Sequence, residues 1–131
     1  YYRGTDCNFW ALYDNNPHLV GATIHYISKG LDSGPILYHA VSEPVANEFL
    51  YTMSAVKSAF FSLRESIVTN SITSFESEIQ DRSKEIRYSR KADFTDNAIK
   101  QYLNSSQTQL LESESYLLTN PFKLKKTDFF L

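Results

Sequence analysis

The chain has 131 residues, 42% of them hydrophobic and 15% aromatic, which is sufficient for one domain with a modest core. A formal net charge of −2 argues against broad electrostatic binding to nucleic acid, because such binding usually needs a basic face. The single cysteine, Cys7, excludes an internal disulfide and favours a reducing, cytoplasmic compartment, and no apolar run is long enough to span a bilayer.

The first residues predict a chain that begins inside a longer sequence. Tyr1-Tyr2-Arg3-Gly4 has neither an initiator methionine nor the composition of a leader, so we expect a fragment or a truncated gene product. A short helix is predicted at Phe9-Trp10-Ala11-Leu12-Tyr13. The turn-forming cluster Asp14-Asn15-Asn16-Pro17 should end that helix.

Two strand candidates follow, at residues 22–27 and 36–41, and in both we expect alternate residues to face opposite sides. The chain breaks between them at Lys29-Gly30 and presents Asp32 among turn formers. A carboxylate in a loop held by two strands is both accessible and fixed in place, so Asp32 is the strongest candidate for chemistry. The alternative is a loop aspartate that bonds its own backbone in an Asx turn.

His25 is the second candidate, with a packed and hydrogen-bonded strand residue as the alternative interpretation. A chain that turns back after the first strand could bring His25 near Asp32. A carboxylate beside an imidazole raises the imidazole pKa and fixes its tautomer, the usual arrangement for acid–base catalysis. No metal site is predicted, because the histidines are not at ligand spacing and there is no second cysteine.

A long helix is predicted from an N-cap at Asn47 to about Thr69. Its apolar positions step by four and three and form one stripe, which we expect to pack against the sheet rather than to form a binding groove. The stripe consists of Phe49, Met53, Val56, Phe60, Leu63 and Ile67.

The remainder of the chain is more polar. Residues 70–95 favour an irregular surface segment, after which Asp93 or Thr95 can cap a second helix over residues 98–103. Residues 104–115 favour a linker or a frayed helix end. The short basic tail Phe122-Lys-Leu-Lys-Lys126 is interpreted as a solvated edge rather than a nucleic-acid site.

Two blocks resemble the catalytic domain of the formyltransferases that use 10-formyltetrahydrofolate. The first is Tyr2-Arg3-Gly4 with the following Phe9-Trp10-Ala11-Leu12-Tyr13, similar to a Tyr-Arg-Gly…Trp-Ala-Ile segment. The second is Gly21-Ala-Thr-Ile-His25 with Gly30-Leu-Asp-Ser-Gly34, similar to Gly-x-Thr-x-His…Asp-x-Gly. The family includes methionyl-tRNA, glycinamide ribonucleotide and nucleotide-sugar formyltransferases.

The resemblance implies roles for several residues. Asp32 matches the family's catalytic aspartate and His25 its strand histidine, while Ser28, Lys29, Gly30, Leu31 and Asp32 correspond to the loop that holds the pterin ring of the formyl donor. Arg3 matches an arginine directed toward the amine substrate in some sugar-modifying members. In the family an Asn amide and a protonated His stabilise the developing negative charge, and such donors are worth about 3–4 kcal/mol each.

The family's Asn-x-His motif lies just before Tyr-Arg-Gly, where this chain begins, so we expect the chain alone to be inactive. The resemblance implies an α/β fold: a partial, Rossmann-like catalytic domain over residues 1–70, with a strand pair and a long amphipathic helix. Residues 71–131 would form a mostly helical or irregular extension, and residues 104–131 have no predicted role.

The favoured function is formyl transfer to the amine of a nucleotide-linked amino sugar, because the chain is acidic and lacks a basic C-terminal domain for tRNA. The alternatives are a methionyl-tRNA formyltransferase fragment and a degenerate, non-catalytic remnant. A half-domain with open sheet edges and an uncovered apolar face could also form homo-oligomers.

Overall fold

A computed structural model of the protein describes residues 1–42, 45, 47–105 and 124–126. Helices and short strands are mixed along the chain, as the predicted α/β class requires. In chain order the α-helices and strands are β1 (Tyr2–Gly4), α1 (Cys7–Tyr13), β2 (Ala22–His25), β3 (Ile36–Val41), α2 (Glu48–Val68), β4 (Arg87–Ser89), α3 (Asp96–Ser105) and β5 (Leu124–Lys126).

The chain divides into two compact units that alternate in sequence. The first unit comprises residues 1–20 and 81–120, and the second comprises residues 21–80 and 121–131. Each unit therefore combines an early part of the chain with a late part.

The first unit pairs the start of the chain with β4. Strands β1 and β4 are parallel, with Tyr2 opposite Arg87 and Gly4 opposite Ser89. Gly4 has a φ of +92°, and a side chain there would collide with the Ser89 carbonyl, so only glycine fits. Arg87 donates to both carboxylate oxygens of Asp14, at 2.9 and 2.6 Å, which ties β4 to the end of α1.

The predicted end of the first helix is confirmed. Helix α1 ends at Tyr13, and Asn15 adopts the left-handed conformation that asparagine tolerates, with a φ of 60°. The ring of Phe9 lies 4.9 Å from Trp10 and 4.8 Å from Phe94, both in edge-to-face geometry. This aromatic cluster joins α1 to the chain just before α3.

The second unit is built on the predicted strand pair. Strands β2 and β3 are antiparallel, with Ala22 opposite Ala40 and Ile24 opposite Tyr38, and β5 adds a parallel neighbour on the other side of β3. Alternation in β2 is as predicted from residue 22 to 24, since Ala22 and Ile24 pack on the core while Thr23 is exposed. The strand ends at His25 instead of residue 27, with a shift of register between Ile24 and His25. The basic tail thus contributes a strand at residues 124–126.

Helix α2 begins and ends where the sequence predicts. The Asn47 side chain accepts a hydrogen bond from the Leu50 amide at 2.9 Å, and Thr69 is the C-cap. The helix packs on β2 and β3.

The prediction for the face of α2 that packs inward is wrong. Phe49, Met53, Phe60 and Ile67 of the apolar stripe are exposed, and Val56 and Leu63 are only half-buried. The residues that contact the core are Tyr51, Ala55, Ser58, Ala59, Ser62 and Ser66.

Apart from Tyr51, the buried residues of α2 are small, which lets the helix approach the large residues of β3 closely. The cost of burying hydroxyl groups is reduced by local hydrogen bonds: Ser62 Oγ donates to Tyr38 Oη at 3.2 Å, and Ser66 Oγ donates to the Ser62 carbonyl at 2.7 Å. The large residues of α2 are left on the outside.

The later predictions have mixed outcomes. Thr95 caps α3, since its Oγ1 accepts from the Ala98 amide at 3.2 Å, whereas Asp93 accepts from the Arg90 amide in a preceding 3₁₀ turn. The segment 70–95 is not irregular throughout, because it contains β4. The predicted linker or frayed helix end lies outside the described residues from residue 106 onward.

Among the described residues, no helix has both the length and the apolar composition that crossing a membrane would require.

Ala59→Leu should destabilise the protein by about 1–3 kcal/mol, because Ala59 lies in the buried cluster with Leu37, Tyr38 and Ala40 and a larger side chain would overpack it. The neighbouring, exposed Phe60→Leu should change the free energy of unfolding by only about 0.5 kcal/mol. Urea unfolding measures both. The reverse order of effects would mean that the apolar stripe packs inward.

Candidate functional site

The loop between β2 and β3 carries most of the predicted site residues. Its base is closed by the Tyr26 amide, which donates to the Pro35 carbonyl at 2.9 Å. Gly34 passes so close to the Tyr26 backbone that any side chain on it would collide with the Tyr26 carbonyl oxygen. The two ends of the loop are therefore held together by backbone contacts.

A side-chain amide supports the loop from the segment after α2. Gln80 Nε2 donates to the Gly34 carbonyl at 2.8 Å and to the Asp32 carbonyl at 3.1 Å. The Gln80 segment is itself attached to β3, since the backbones of Ile36 and Glu78 exchange two hydrogen bonds of 2.7 and 2.8 Å. Gln80 thus fixes the backbone on both sides of Ser33 to the sheet.

The outer part of the loop is open to solvent. Ser28 Oγ lies 3.0 Å from Ser33 Oγ and donates to the Gly30 carbonyl at 3.3 Å, which joins the two sides of the loop. Ile27 is 97% exposed and Leu31 is 83% exposed. Two apolar side chains thus extend into solvent beside the exposed Lys29 and Gly30.

Asp32 lies where the loop turns back toward β3. Its φ of 49° is in the left-handed region, which Asp tolerates better than most residues with a Cβ. The residue is exposed, and within the described part of the chain no hydrogen bond or ion pair of its carboxylate is found. Among the described residues, the Asx-turn interpretation therefore has no hydrogen bond to support it.

His25 ends β2 and is half-buried. Its Nδ1 lies 2.8 Å from the Tyr26 carbonyl oxygen, and because a carbonyl can only accept, Nδ1 carries the proton of this bond. No hydrogen bond or ion pair joins His25 to Asp32 among the described residues, so the structure does not pair them as the sequence suggested. His25 instead sits at the base of the loop, next to Gly34.

Arg3 belongs to the first unit, whereas Asp32 belongs to the second. Arg3 Nη1 lies 3.4 Å from the Glu85 carboxylate, an ion pair within that unit. The proposed substrate arginine is therefore engaged by a carboxylate of its own chain.

The chain does contain an Asn-x-His string, at Asn16-Pro17-His18, which the sequence reasoning missed. The string follows Tyr2-Arg3-Gly4 instead of preceding it. The Asn16 amide donates to Tyr2 Oη at 2.8 Å, and burial lowers the pKa of His18. The Asn16 amide is thus committed to groups of its own chain, so the string is no substitute for the family motif.

The third histidine is a sheet residue. His39 Nδ1 lies 2.9 Å from Thr23 Oγ1 across the β2–β3 pair, and burial lowers the pKa of His39.

Gln80 is the site residue that sequence reasoning missed, since a lone glutamine in a polar segment gives no signal of its distant partners. The described residues hold no cluster of three His, Cys, Asp or Glu side chains fit to bind a metal ion.

No protein-family model, curated protein sequence or solved structure matches this chain.

Gly34→Ala should destabilise the protein by about 1–3 kcal/mol and displace the loop, because the new methyl group meets a backbone carbonyl that cannot move alone. The matched change Gly30→Ala meets the Ser33 side chain, whose hydroxyl can rotate away at the loss of its bond to Ser28, and should cost about 0.5–1 kcal/mol. Chemical denaturation and amide chemical shifts of residues 26–36 report both effects. Equal effects of the two changes would show that the Tyr26–Gly34 contact does not shape the loop.

Proposed function

We propose that this chain contributes an aspartate and a donor-binding loop to a formyltransferase, which moves a formyl group from 10-formyltetrahydrofolate to an amine. The observation that carries the proposal is the placement of Asp32. It is exposed, in a left-handed conformation, with its backbone carbonyl bonded to the Gln80 side chain and its carboxylate without a hydrogen bond to any described residue.

Asp32 can act as the proton acceptor of such a transfer. In the transfer, a bond forms between the amine nitrogen and the formyl carbon, and the bond from that carbon to N10 of the folate breaks. The amine must therefore lose a proton, and N10 must gain one. An exposed carboxylate near the acceptor can take the first proton, a contribution of about 10²- to 10⁴-fold. His25, with Nδ1 committed to the Tyr26 carbonyl, supports the base of the loop, and its Nε2 has no hydrogen bond to any described residue.

The loop's chemistry fits one edge of a pterin ring. Ile27 and Leu31 offer apolar contact to a flat heteroaromatic surface, and the exposed backbone of residues 28–31 offers hydrogen-bonding groups to its polar edge. These residues would bind and orient the formyl donor. Its one-carbon unit supplies the group that is transferred.

The arrangement of the second unit supports the finer fold assignment. The loop lies between two paired strands, and a long helix on the same sheet follows them. We expect this order of elements after the Tyr-Arg-Gly segment of a partial, Rossmann-like formyltransferase domain. The order of these elements agrees with the order of the two resembling sequence blocks.

The acceptor we favour is an amino sugar carried on a nucleotide. A net charge of −2 is unfavourable for binding tRNA, which is the reason to place a methionyl-tRNA formyltransferase second. Arg3 would bind the acceptor substrate. To do so, its guanidinium must leave the ion pair with Glu85. The single cysteine supports a cytoplasmic location.

The structure also holds an observation that favours a degenerate, non-catalytic remnant. The imidazole of His25 is bonded to a backbone carbonyl, and neither the imidazole nor any other described group is paired with the Asp32 carboxylate. An active centre of the family type would need groups from outside the described chain to complete it.

The test enzyme is made by fusing the N-terminal part of a formyltransferase catalytic domain, which carries the Asn-x-His motif, before Tyr1. In this enzyme, Asp32→Asn should lower kcat by about 10²- to 10⁴-fold. Asparagine is well tolerated in the left-handed conformation, so the loop and the free energy of unfolding should be preserved. The assay follows formyl transfer from 10-formyltetrahydrofolate to a panel of nucleotide-linked amino sugars.

The matched control is Asp96→Asn, which removes another exposed carboxylate in the first turn of α3 and should leave kcat unchanged. Wild-type turnover in Asp32→Asn would remove this residue from the mechanism. Folate binding without turnover on any amine would support the degenerate alternative, and failure to bind folate at all would contradict the family proposal.

A further inference from the structure

One side chain holds the two carbonyl oxygens on either side of Ser33 in the loop between β2 and β3. Gln80 Nε2 lies 2.8 Å from the Gly34 carbonyl oxygen and 3.1 Å from that of Asp32. A side-chain amide nitrogen carries two hydrogens, so each carbonyl receives one of them. Two carbonyl oxygens that converge on one point repel each other unless a donor lies between them. This part of the loop therefore requires hydrogen-bond donors at position 80.

The segment that carries Gln80 is itself held by the sheet. The backbones of Ile36 and Glu78 exchange two hydrogen bonds, of 2.7 and 2.8 Å, at the start of β3. Earlier in the same segment, the ring of Phe75 lies 4.8 Å from the ring of the buried Tyr38. Because the segment is attached to β3 at two points, the Gln80 amide extends from a backbone that is fixed in place.

The position of the Asp32 carboxylate depends on this support. Among the described residues no hydrogen bond holds the carboxylate itself, so its position follows from the backbone of Asp32. That backbone has a φ of 49°, a conformation that a residue with a Cβ adopts only at a cost. Since the direction of a carbonyl sets the ψ angle of its own residue, the bond from Gln80 stabilises Asp32 in this conformation.

We propose that Gln80 is a positioning residue of the formyl transfer, which acts through the backbone of Asp32 to keep the carboxylate where it accepts the proton of the amine. This inference rests on the proposed function, since it requires Asp32 to be the proton acceptor. In this role Gln80 contacts neither the formyl donor nor the amine. Its loss therefore lowers turnover rather than the affinity for the amine, and a displacement of about 1 Å can cost about 10²-fold in rate.

The test substitution is Gln80→Glu, which keeps the size of the side chain and replaces its donating NH₂ group with an oxygen. An ionised carboxylate only accepts hydrogen bonds, so it repels both carbonyl oxygens. In the fusion enzyme used for Asp32→Asn, Gln80→Glu should lower kcat by about 10²-fold and change the KM for the amine by less than about twofold.

The matched control is Gln101→Glu, which makes the same change of charge on α3. Gln101 uses its side-chain oxygen, which accepts from Tyr13 Oη at 2.5 Å, and a carboxylate accepts such a bond equally well. This variant should retain the kcat of the parent enzyme. A loss equal to that of Gln80→Glu would overturn the inference, because added negative charge rather than a lost donor would then be responsible.

A double variant separates positioning from a general loss of structure. In an Asp32→Asn background, Gln80→Glu should change kcat by less than about twofold, because a residue that acts through the carboxylate has no further effect once the carboxylate is gone. If Gln80→Glu prevents folding, Gln80→Met replaces it, since methionine removes the donors without adding a charge.

The possible results distinguish this inference from the proposed function. A parent-like kcat in Gln80→Glu, or a further loss of about 10²-fold in the double variant, would overturn the role of Gln80 and leave the proposed function in place. A fusion enzyme that binds folate but turns over no amine would contradict the proposed function, and the role of Gln80 with it.

Discussion

The close approach of Gly34 to the carbonyl of Tyr26 is the constraint on which the candidate site in the second unit depends. Only glycine permits this approach, and it brings the two ends of the loop together so that Tyr26 and Pro35 can bond through their backbones. Gln80 then holds the carbonyls of Asp32 and Gly34 from the other side. The result is an aspartate whose backbone is fixed by the sheet while its carboxylate meets solvent, which suits a residue that must meet a substrate.

Local signals predicted much of the fold. Alternation gave the strand pair, Asn47 and Thr69 marked the limits of α2, and the cluster after Tyr13 ended α1, because each depends on interactions within a few residues. The inward face of α2 was predicted wrongly, since hydrophobicity alone ranks Phe60 above Ala59. Close packing against the large side chains of β3 requires small residues on the facing side of α2. The sheet surface sets this requirement, so the helix sequence alone does not reveal it.

Pairings across long separations could not be predicted. The parallel pair of β1 and β4 joins Tyr2 to Arg87, and β5 joins residues 124–126 to β3, through contacts that leave no periodic pattern in three-residue strands. The same limit applies to the candidate site: the loop that carries Asp32 was predicted from its turn formers, but the support of this loop by Gln80, 48 positions later, was not. The expected contact of Asp32 with His25 is not found among the described residues, where His25 Nδ1 is bonded to the Tyr26 carbonyl.

Backbone ¹⁵N relaxation of the full chain tests most directly whether the sheet holds the aspartate in place. If the contacts of Gln80 and Gly34 fix the loop, the amides of residues 32–34 should have order parameters of about 0.85, equal to those of β3, and Gln80→Ala should lower them. Order parameters below about 0.6 at these residues in the unchanged protein would contradict the account, because a carboxylate on a freely moving loop is not positioned by the fold.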